Sequence, residues 1–300
     1  MTRKVLSDPR RHAYRADLAA EKLRSVVDAP RYAKGAPRQV AVPSLKLCQE
    51  PRFDARLETE ALLGETVTLY DESEGWAWVQ LDRDGYVGYV PSEGLSPELT
   101  PATHRVAALR TYVYLEPDAK APTVALLSLN ARLAATRAEG KFLAFQGGGY
   151  VFAGHLAPLG EAETDFVSVA ERFIGTPYLW GGRTSIGLDC SGLVQLALEA
   201  AGQHAPRDAD MQAGEIGRKL DRREGGKLHR GDLVFWEGHV GIMASSRDLL
   251  HANAYHMAVA REPFADGKRR IEAAGYEVIC VRRPVRLGDS ARTRRIAKGR

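Results

Sequence analysis

The strongest constraint on the fold is a pattern of strands and turns that occurs twice in the first half of this 300-residue chain. In the first copy, from about residue 40 to 95, short alternating or aromatic runs are separated by Glu74-Gly75 and Asp84-Gly85. A looser copy, from about 106 to 156, contains Glu139-Gly140 in the same place. Acidic-glycine pairs between short apolar runs are typical of antiparallel hairpins. The repeat predicts two small β-barrels built on one plan.

The chain changes character after residue 160. Residues 163–174 and 190–201 have helical spacing, and Gly202 ends the second of these predicted helices. Predicted strands then follow near 232–236, 239–244, 248–252, 256–260 and 276–282. A group of helices followed by a group of strands indicates an α+β domain.

These patterns divide the chain into five predicted segments. They are an N-terminal helical segment (1–40), a first barrel (41–99), a second barrel (100–160), an α+β domain (161–284) and a basic tail (285–300). Within the first segment, residues 12–27 have the spacing of an amphipathic helix, with Leu18, Leu23 and Val26 or Val27 near one face. Nothing in the sequence assigns this helix or the tail a role.

The distribution of charge argues against an anionic polymer as partner. The formal net charge is +4, but the basic surplus lies in residues 1–40 and 282–300, and the stretch between them is net acidic. Basic ends are typical of solvated tails, so we expect neither a nucleic acid nor a membrane as partner. The first residues lack the apolar stretch of a signal peptide, and three scattered cysteines do not form a disulfide scaffold. A soluble protein of the reducing cytoplasm is expected.

Cys190 lies where a loop gives way to the predicted helix at 190–201. A thiol at a helix N-terminus meets the positive end of the helix dipole and unpaired backbone N–H groups, which favour its thiolate. The same N–H groups can hold an oxyanion. A structural role is the alternative, because Cys190 shares a helical face with Leu193, Val194 and Ala197, and buried free cysteines are common.

Two histidines add the other parts of a nucleophilic site. His239 follows a glycine turn at the start of an apolar strand, and His251 ends what should be the neighbouring strand. A hairpin would bring the two imidazoles side by side, and a cysteine, a base and an orienting polar group are what a nucleophilic hydrolase needs. Asn253 and His256 compete with His251 for the orienting role. Zinc is disfavoured, because the short spacings of zinc ligands are missing from the sequence, and no metal or other cofactor is expected.

Six strings resemble the NlpC family of papain-like cell-wall cysteine peptidases, in the family's order over roughly 165–282. They are PYLWGG (177–182), DCSGLVQ (189–195), PRD (206–208), GDLVFW (231–236), GHVGI (238–242) and LHA (250–252). Both barrels resemble bacterial SH3-like domains, and the first has GWAWV at 75–79 and GYVGYVP at 85–91. Together they resemble the γ-D-glutamyl-L-diamino-acid endopeptidases, also called dipeptidyl-peptidase VI. The implied fold is a papain-like α+β domain preceded by two small SH3-like β-barrels.

The resemblance implies a catalytic role for four residues. Cys190 is the expected nucleophile, His239 the general base that later protonates the leaving amine, and His251 the group that orients His239. Tyr178 matches a family tyrosine whose hydroxyl helps the backbone N–H of Cys190 to bind the oxyanion. Packing within its loop is the alternative role for Tyr178.

The resemblance also implies a pocket for the free amino group of an N-terminal L-alanine. Asp189 and Ser191 match positions associated with gripping that ammonium. A tyrosine of the first barrel closes the pocket, and Tyr86 is preferred over its strand neighbour Tyr89. An ammonium excluded from water needs a compensating charge and hydrogen bonds, so a carboxylate here makes chemical sense.

Three more residues belong to the expected cleft. Trp180, before a Gly-Gly turn, is expected to form a wall of the cleft. Arg207 and Asp208 either line the cleft or bridge to each other, and a structural role is favoured.

The implied activity is hydrolysis of the bond between γ-D-Glu and the diamino acid of peptidoglycan stem peptides, during recycling of wall peptides. The expected partner is a stem peptide that begins with free L-Ala. The sequence leaves open whether the diamino acid is meso-diaminopimelate or L-lysine, and it leaves the oligomeric state open. The alternative is a wall-binding or protein-binding module whose NlpC-type domain is inactive or an acyltransferase.

Overall fold

The computed structural model describes residues 8–221 and 227–285. The chain divides into two compact units. Among the described residues, one unit contains those up to Gly160 together with Trp180–Thr184, and the other contains Glu161–Leu179 and those from Ser185 onward. Residues 286–300 of the predicted basic tail lie outside the described residues. None of the described helices is long and apolar enough to cross a bilayer.

The helix predicted over residues 12–27 is wrong. This segment forms a strand, β1 (Leu18–Ala20), and a 3-10 helix (Glu21–Leu23), and β1 pairs in parallel with β2 (Arg31–Ala33). The apolar side chains that suggested a helical face pack instead against aromatic side chains of the first strand module. Tertiary packing therefore outweighs a helical spacing that local propensity alone could not hold.

The first strand module covers residues 36–96. Its strands form one antiparallel sheet in the order β5-β4-β8-β7-β6-β3-β9. They are β3 (Ala36–Val40), β4 (Ser44–Cys48), β5 (Leu57–Leu62), β6 (Thr66–Ser73), β7 (Trp76–Leu81), β8 (Val87–Pro91) and β9 (Leu95–Ser96). A 3-10 helix, Ser92–Gly94, joins β8 to β9.

Strand β7 is buried at every position, on both of its faces. On one face, Trp78 packs in a cluster with the N-terminal segment, and Arg15 stacks its guanidinium 4.8 Å from the Trp78 ring centroid. Gln80 Nε2 donates to the backbone carbonyl of Arg11 at 2.9 Å. The N-terminal segment therefore covers the outer face of this sheet.

The second strand module covers residues 104–158 and repeats the strand pairing of the first. Its sheets have the orders β13-β10-β17 and β12-β11-β16-β15-β14. Its strands are β10 (His104–Val106), β11 (Arg110–Tyr114), β12 (Thr123–Ser128), β13 (Arg132–Leu133), β14 (Ala135–Glu139), β15 (Phe142–Phe145), β16 (Tyr150–Phe152) and β17 (Leu156–Pro158). Strand β11 pairs with β12 and β16 as β4 pairs with β5 and β8, and β10 pairs with β13 and β17 as β3 pairs with β6 and β9. A 3-10 helix, Ala153–His155, again precedes the last strand.

A buried ion-pair cluster anchors the segment Trp180–Thr184 to the first module. The carboxylate of Glu65 contacts the guanidinium of Arg83 at 2.5 Å and that of Arg183, on β18 (Arg183–Thr184), at 3.0 Å. Burial alone raises the pKa of the Glu65 carboxyl, but the two guanidiniums outweigh burial and hold this pKa below its usual range. The backbone N–H of Arg183 also donates to Glu60 at 2.7 Å.

The second unit combines a few helices with one antiparallel sheet of order β20-β25-β21-β22-β23-β24. The helices are α1 (Phe166–Glu171), α2 (Cys190–Ala200), α3 (Ala209–Glu215) and α4 (Phe264–Ala273). The strands are β19 (Gly187–Leu188), β20 (Arg218–Lys219), β21 (Leu233–Trp236), β22 (His239–Met243), β23 (Asp248–Asn253), β24 (Ala258–Pro263) and β25 (Val278–Arg283). The predicted helices and strands of this region are present with small shifts at their ends.

Local sequence explains where the elements near the site begin and end. Asp189 caps the N-terminus of α2, and Gly202 follows the helix with φ of +70°. Gly238 makes the tight turn between β21 and β22 with φ of +68°, a conformation that glycine adopts at little cost. This turn sets the register in which His239 begins β22 opposite Trp236.

Candidate active site

Cys190 is the first residue of α2, and its sulfur lies beside the strand that carries His239. The carboxylate of Asp189 accepts a hydrogen bond from the Gly192 N–H at 2.7 Å and so caps the helix. The backbone N–H of Val240, next to His239 on β22, hydrogen-bonds the Cys190 thiol. Cys190 is 6% exposed, so the thiol sits in a largely dry site.

The charge balance does not favour a free thiolate at Cys190, contrary to the expectation from the helix N-terminus. Burial raises the pKa of the Cys190 thiol to about 12, and the nearby Asp189 carboxylate acts in the same direction. Backbone N–H groups and the Arg207 guanidinium lower this pKa, but by less. The free site therefore holds a neutral thiol that needs a base to take its proton.

A chain of hydrogen bonds runs from His239 through His251 to a carboxylate. His239 Nε2 lies 2.8 Å from His251 Nδ1, and His251 Nε2 lies 2.7 Å from Glu262 Oε1. His251 is 1% exposed, and the Glu262 side chain is 11% exposed. The hairpin of β22 and β23 thus joins the two imidazoles, as its sequence indicates.

His239 is neutral at physiological pH. Burial lowers the pKa of its imidazole to about 3, and the neighbouring His251 and Arg270 add to this effect while Glu262 opposes it. A neutral imidazole can accept a proton. Since Nε2 bonds His251, Nδ1 is the nitrogen left for that proton.

Neither competitor for the orienting role contacts His239 through a hydrogen bond described in the structure. Asn253 accepts from the backbone N–H of His256 at 2.9 Å, and its Oδ1 lies 3.0 Å from His256 Nδ1. His251, His256 and Glu262 do offer atoms within 4.8 Å of one another, the spacing of metal ligands. The guanidinium of Arg270 is already bound to Glu262, however, and a cation there would face this fixed positive charge.

Tyr178 lies close enough to Cys190 for their charges to interact. Burial raises the pKa of the Tyr178 phenol to about 12, with a further rise from Cys190 and Asp189. Its backbone N–H donates to the Met257 carbonyl at 2.9 Å, which fixes the loop beside the start of β24. The hydroxyl is therefore protonated at physiological pH and can donate a hydrogen bond.

Arg207 contacts the residues on either side of Cys190. Its guanidinium binds both carboxylate oxygens of Asp189, at 2.9 and 2.7 Å, and Nη1 donates to Ser191 Oγ at 2.9 Å. Gln212 on α3 donates to the Ser191 carbonyl at 2.9 Å. Arg207 is 1% exposed, so this is a buried pair that holds the start of α2 in place.

The structure also places the remaining residues that were predicted to bind substrate, which are Asp208, Trp180 and the two candidate tyrosines. Asp208 is the N-cap residue of α3. Trp180 is half exposed, and the Arg56 guanidinium stacks 4.4 Å from its ring centroid. Tyr86 is buried with its hydroxyl 3.2 Å from Glu58, whereas Tyr89 packs with the N-terminal segment.

Sequence reasoning missed Glu262, Arg270, Gln212 and Glu58. Glu262 could not be found because it sits opposite Leu249, one strand away from His251, and only the sheet register puts it on the His251 face. Arg270 reaches it from α4, at 2.5 and 2.8 Å. In the sequence, Glu262 looks like an ordinary exposed carboxylate near the end of a strand, and nothing in the sequence indicates its contact with His251.

Two family models match the chain. The model described as "Bacterial dipeptidyl-peptidase Sh3 domain" matches residues 47–95, within the first strand module. The model described as "NlpC/P60 family" matches residues 175–268, which include the cysteine and both histidines. The SH3 match covers the first module, and an SH3-like second module stays a prediction.

Similar proteins cover most of the chain. A gamma-D-glutamyl-L-lysine dipeptidyl-peptidase of Bacillus cereus is 25% identical over 66% of this chain and 67% of that protein. A protein of the same name from Bacillus subtilis is 28% identical over 66% of this chain and 73% of its own length. The crystal structure of an NlpC/P60 family protein from Bacillus cereus has a TM-score of 0.69 at 20% identity, covering 83% of this chain and 99% of that one. This structural likeness establishes the shared fold.

The matches and the site agree. The NlpC/P60 match contains the thiol at a helix start and the paired imidazoles, which are the parts of a cysteine nucleophile site. The chain therefore carries a bacterial dipeptidyl-peptidase SH3 domain followed by an NlpC/P60 domain of papain-like fold, and it is a cysteine peptidase.

Proposed function

We propose that this peptidase hydrolyses the bond between γ-D-Glu and the diamino acid in peptidoglycan stem peptides that begin with a free L-Ala. The observation that carries the proposal is the bond of 2.8 Å between His239 and His251, on the strand that contacts the Cys190 thiol. The relatives named gamma-D-glutamyl-L-lysine dipeptidyl-peptidase support this choice of bond.

In the proposed reaction, His239 Nδ1 takes the Cys190 proton as Sγ forms a bond to the γ-carbonyl carbon. The tetrahedral intermediate then collapses, the carbon–nitrogen bond breaks, and the imidazolium gives its proton to the leaving amine of the diamino acid. Water, deprotonated by the same imidazole, attacks the thioester and releases the L-Ala-D-Glu dipeptide. The sulfur leaves with the proton that His239 holds, which regenerates the neutral pair.

Tyr178 is proposed to stabilise the oxyanion together with the backbone N–H of Cys190. The pKa of about 12 keeps the phenol protonated, so that it can donate to the charged oxygen but cannot act as a base. Its proximity to Cys190, through which the two pKa values are linked, supports this role over packing alone.

The amine of L-Ala is proposed to contact Asp189, Ser191 and Tyr86. The Asp189 carboxylate and the Ser191 hydroxyl would supply the charge and hydrogen bonds that an ammonium excluded from water needs. Tyr89 is the weaker candidate, because it packs with the N-terminal segment and its hydroxyl faces Arg15.

Trp180 is proposed to form a wall of the cleft. A structural role is favoured over cleft lining for Arg207, from its contacts, and for Asp208, from its place as the N-cap residue of α3. A substrate with a free L-Ala amine has already been released from the glycan, so the proposed setting is recycling of stem peptides in the cytoplasm. The three cysteines, Cys48, Cys190 and Cys280, are free thiols, which suits a reducing compartment.

Cleavage of defined peptides tests the proposal. L-Ala-γ-D-Glu-meso-diaminopimelate and the L-Lys analogue, each with and without an N-acetyl group, are incubated with the protein and with Cys190→Ala. Mass spectrometry should show the L-Ala-D-Glu dipeptide from the free-amine peptides alone, and no product with the alanine variant. Equal cleavage of acetylated peptides refutes the amine pocket. If none of the peptides is cleaved, the proposed substrate is wrong.

A further inference from the structure

We propose that Glu262, held by Arg270, is a positioning residue that sets the direction of the His239–His251 hydrogen bond. The consequence is that His239 presents an unprotonated Nδ1 to the thiol. This inference rests on the proposed roles of Cys190 and His239, and it extends the site by two residues that the sequence did not suggest.

The Glu262 carboxylate fixes where the protons of the two imidazoles lie. Ionised Glu262 only accepts hydrogen bonds, so the bond of 2.7 Å to its Oε1 requires the proton to be on His251 Nε2. In a neutral His251, Nδ1 is then an acceptor. The bond of 2.8 Å to this nitrogen requires His239 Nε2 to be the donor. A neutral His239 with its proton on Nε2 has a free lone pair on Nδ1, as a general base needs.

Glu262 stays ionised because of the groups around it. Burial alone raises the pKa of its carboxyl, but hydrogen bonds from Arg270 and His251 bring it down to about 2. Arg270 donates to both carboxylate oxygens, at 2.8 and 2.5 Å. The Arg270 guanidinium in turn lies 4.0 Å from the ring centroid of Tyr255. The Glu262 carboxylate is thus held by two charge-assisted hydrogen bonds from Arg270, and the Arg270 guanidinium is itself held by the Tyr255 ring.

The helix above Glu262 leaves space for its carboxylate. Gly267 is buried in the interior of α4, where glycine is less favourable than alanine. A Cβ at this position would lie 3.1 Å from Glu262 Oε1 and 3.3 Å from Leu249 Cδ2. Glycine at this position therefore avoids crowding the carboxylate that receives the His251 proton.

The charged and titratable groups around His251 come from three elements. They are His239 on β22, Glu262 on β24 and Arg270 on α4, with His256 in the turn before β24, its ring centroid 6.5 Å from that of His251. Glu262 and Arg270 balance each other in charge. When His239 gains the thiol proton, both its nitrogens carry hydrogen and the bond from Nε2 to His251 is kept, so the chain needs no rearrangement.

The direct test reads the protonated nitrogens of the histidines by NMR. The full chain with ¹⁵N-labelled histidine and Cys190→Ala is used, because that variant has no thiol to share the His239 proton. Substitution of each histidine assigns the signals. We expect His239 and His251 to carry their protons on Nε2, and Nδ1 of each to be unprotonated. A proton on Nδ1 of His239 would overturn the inference, and this measurement needs no change at Glu262.

Variants at Glu262 test whether its carboxylate determines the tautomers of His239 and His251. Glu262→Met removes the acceptor at similar length, and we expect a mixture of tautomers at both histidines. In the protein that retains Cys190, kcat should fall by about 10- to 100-fold and KM should be nearly unchanged. A loss of this size is typical when a group is removed that orients a functional side chain without touching the substrate. Glu262→Gln keeps an oxygen that can accept from His251 and should lose less. Glu272→Met, which breaks the Lys268 pair on the same helix, is the matched control and should keep full activity.

Two outcomes separate this inference from the proposed function. If the tautomers follow Glu262 but no stem peptide is cleaved, the substrate assignment fails and the positioning role stands. If the peptides are cleaved while Glu262→Met keeps the wild-type tautomers and kcat, the positioning role is refuted and the function stands.

Discussion

The buried pair of Asp189 and Arg207 offers a sharp test of how the segment around Cys190 is held. Replacing Arg207 with Met removes the guanidinium but keeps most of the side-chain volume. The Asp189 carboxylate then stays buried with its cap to Gly192 as the remaining strong contact among those described above. Removing one partner of a buried ion pair costs about 3–5 kcal/mol. For a unit of this size, that loss lowers the midpoint of thermal unfolding by about 10–20 °C.

A double-mutant cycle measures the pair itself. The cycle compares the wild type, Arg207→Met, Asp189→Asn and the double variant by thermal and urea unfolding near neutral pH. The asparagine that replaces Asp189 in the double variant is uncharged, and its side-chain oxygen can still cap the helix. We therefore expect the double variant to regain most of the stability, to within about 1 kcal/mol of the wild type, because an uncharged pair of similar volume costs little.

The double variant also separates stability from activity. If it folds normally, its cleavage of stem peptides reports the proposed contact of Asp189 with the substrate amine, without the loss of fold. The reasoning is refuted if Arg207→Met loses less than about 1 kcal/mol, or if the double variant is as unstable as Arg207→Met. The first result would mean that Arg207 does not stabilise the fold. The second would mean that its contribution to stability does not come from its pairing with the Asp189 charge.

Three further perturbations test other parts of the site and fold. His239 must be neutral to act as a base, and burial lowers its pKa to about 3. We therefore expect kcat/KM to persist below pH 6 and to fall only well below the usual pKa of histidine. A fall in kcat/KM centred near pH 6.5 would contradict this. Tyr178→Phe should lower kcat by about 100-fold with KM nearly unchanged, the usual effect of losing one oxyanion donor, and an unchanged kcat would favour packing. Glu65→Gln removes the charge that the buried guanidiniums of Arg83 and Arg183 share, and it should cost about 3–5 kcal/mol in chemical unfolding. Folding lowers the pKa of Glu65, so its contribution to the free energy of unfolding is complete above the pKa of the unfolded chain and is lost as the pH falls through the lower folded value. A difference in unfolding free energy between wild type and Glu65→Gln that does not change with pH would refute this.

Much of the local structure follows from short-range patterns. The acidic-glycine turns between apolar runs predict the strand modules, and the repeat appears in the structure as one pairing scheme used twice. The N-cap at Asp189 and the glycine turn before His239 likewise place the cysteine at a helix start and the histidine at a strand start. Such features depend on neighbouring residues, so they can be seen in the sequence.

The helix predicted over residues 12–27 shows where local patterns mislead. Its leucines and valines have helical spacing, yet the segment extends along the first module, where Trp78 and Tyr70 offer more apolar contact than an isolated helix could provide. The partner of these side chains lies some 50 residues away in the chain. Only the fold brings it near.

The sequence by itself determined which side chains are candidates for the chemistry, because a thiol at a helix N-terminus and two histidines in one hairpin are defined by local order. The tertiary structure alone decided what surrounds them. Burial keeps Cys190 a thiol and His239 neutral, against the expectation from the helix dipole. The contacts of Arg207 with Asp189 and of Glu262 with His251 depend on sheet register and helix packing, which distant parts of the chain set together.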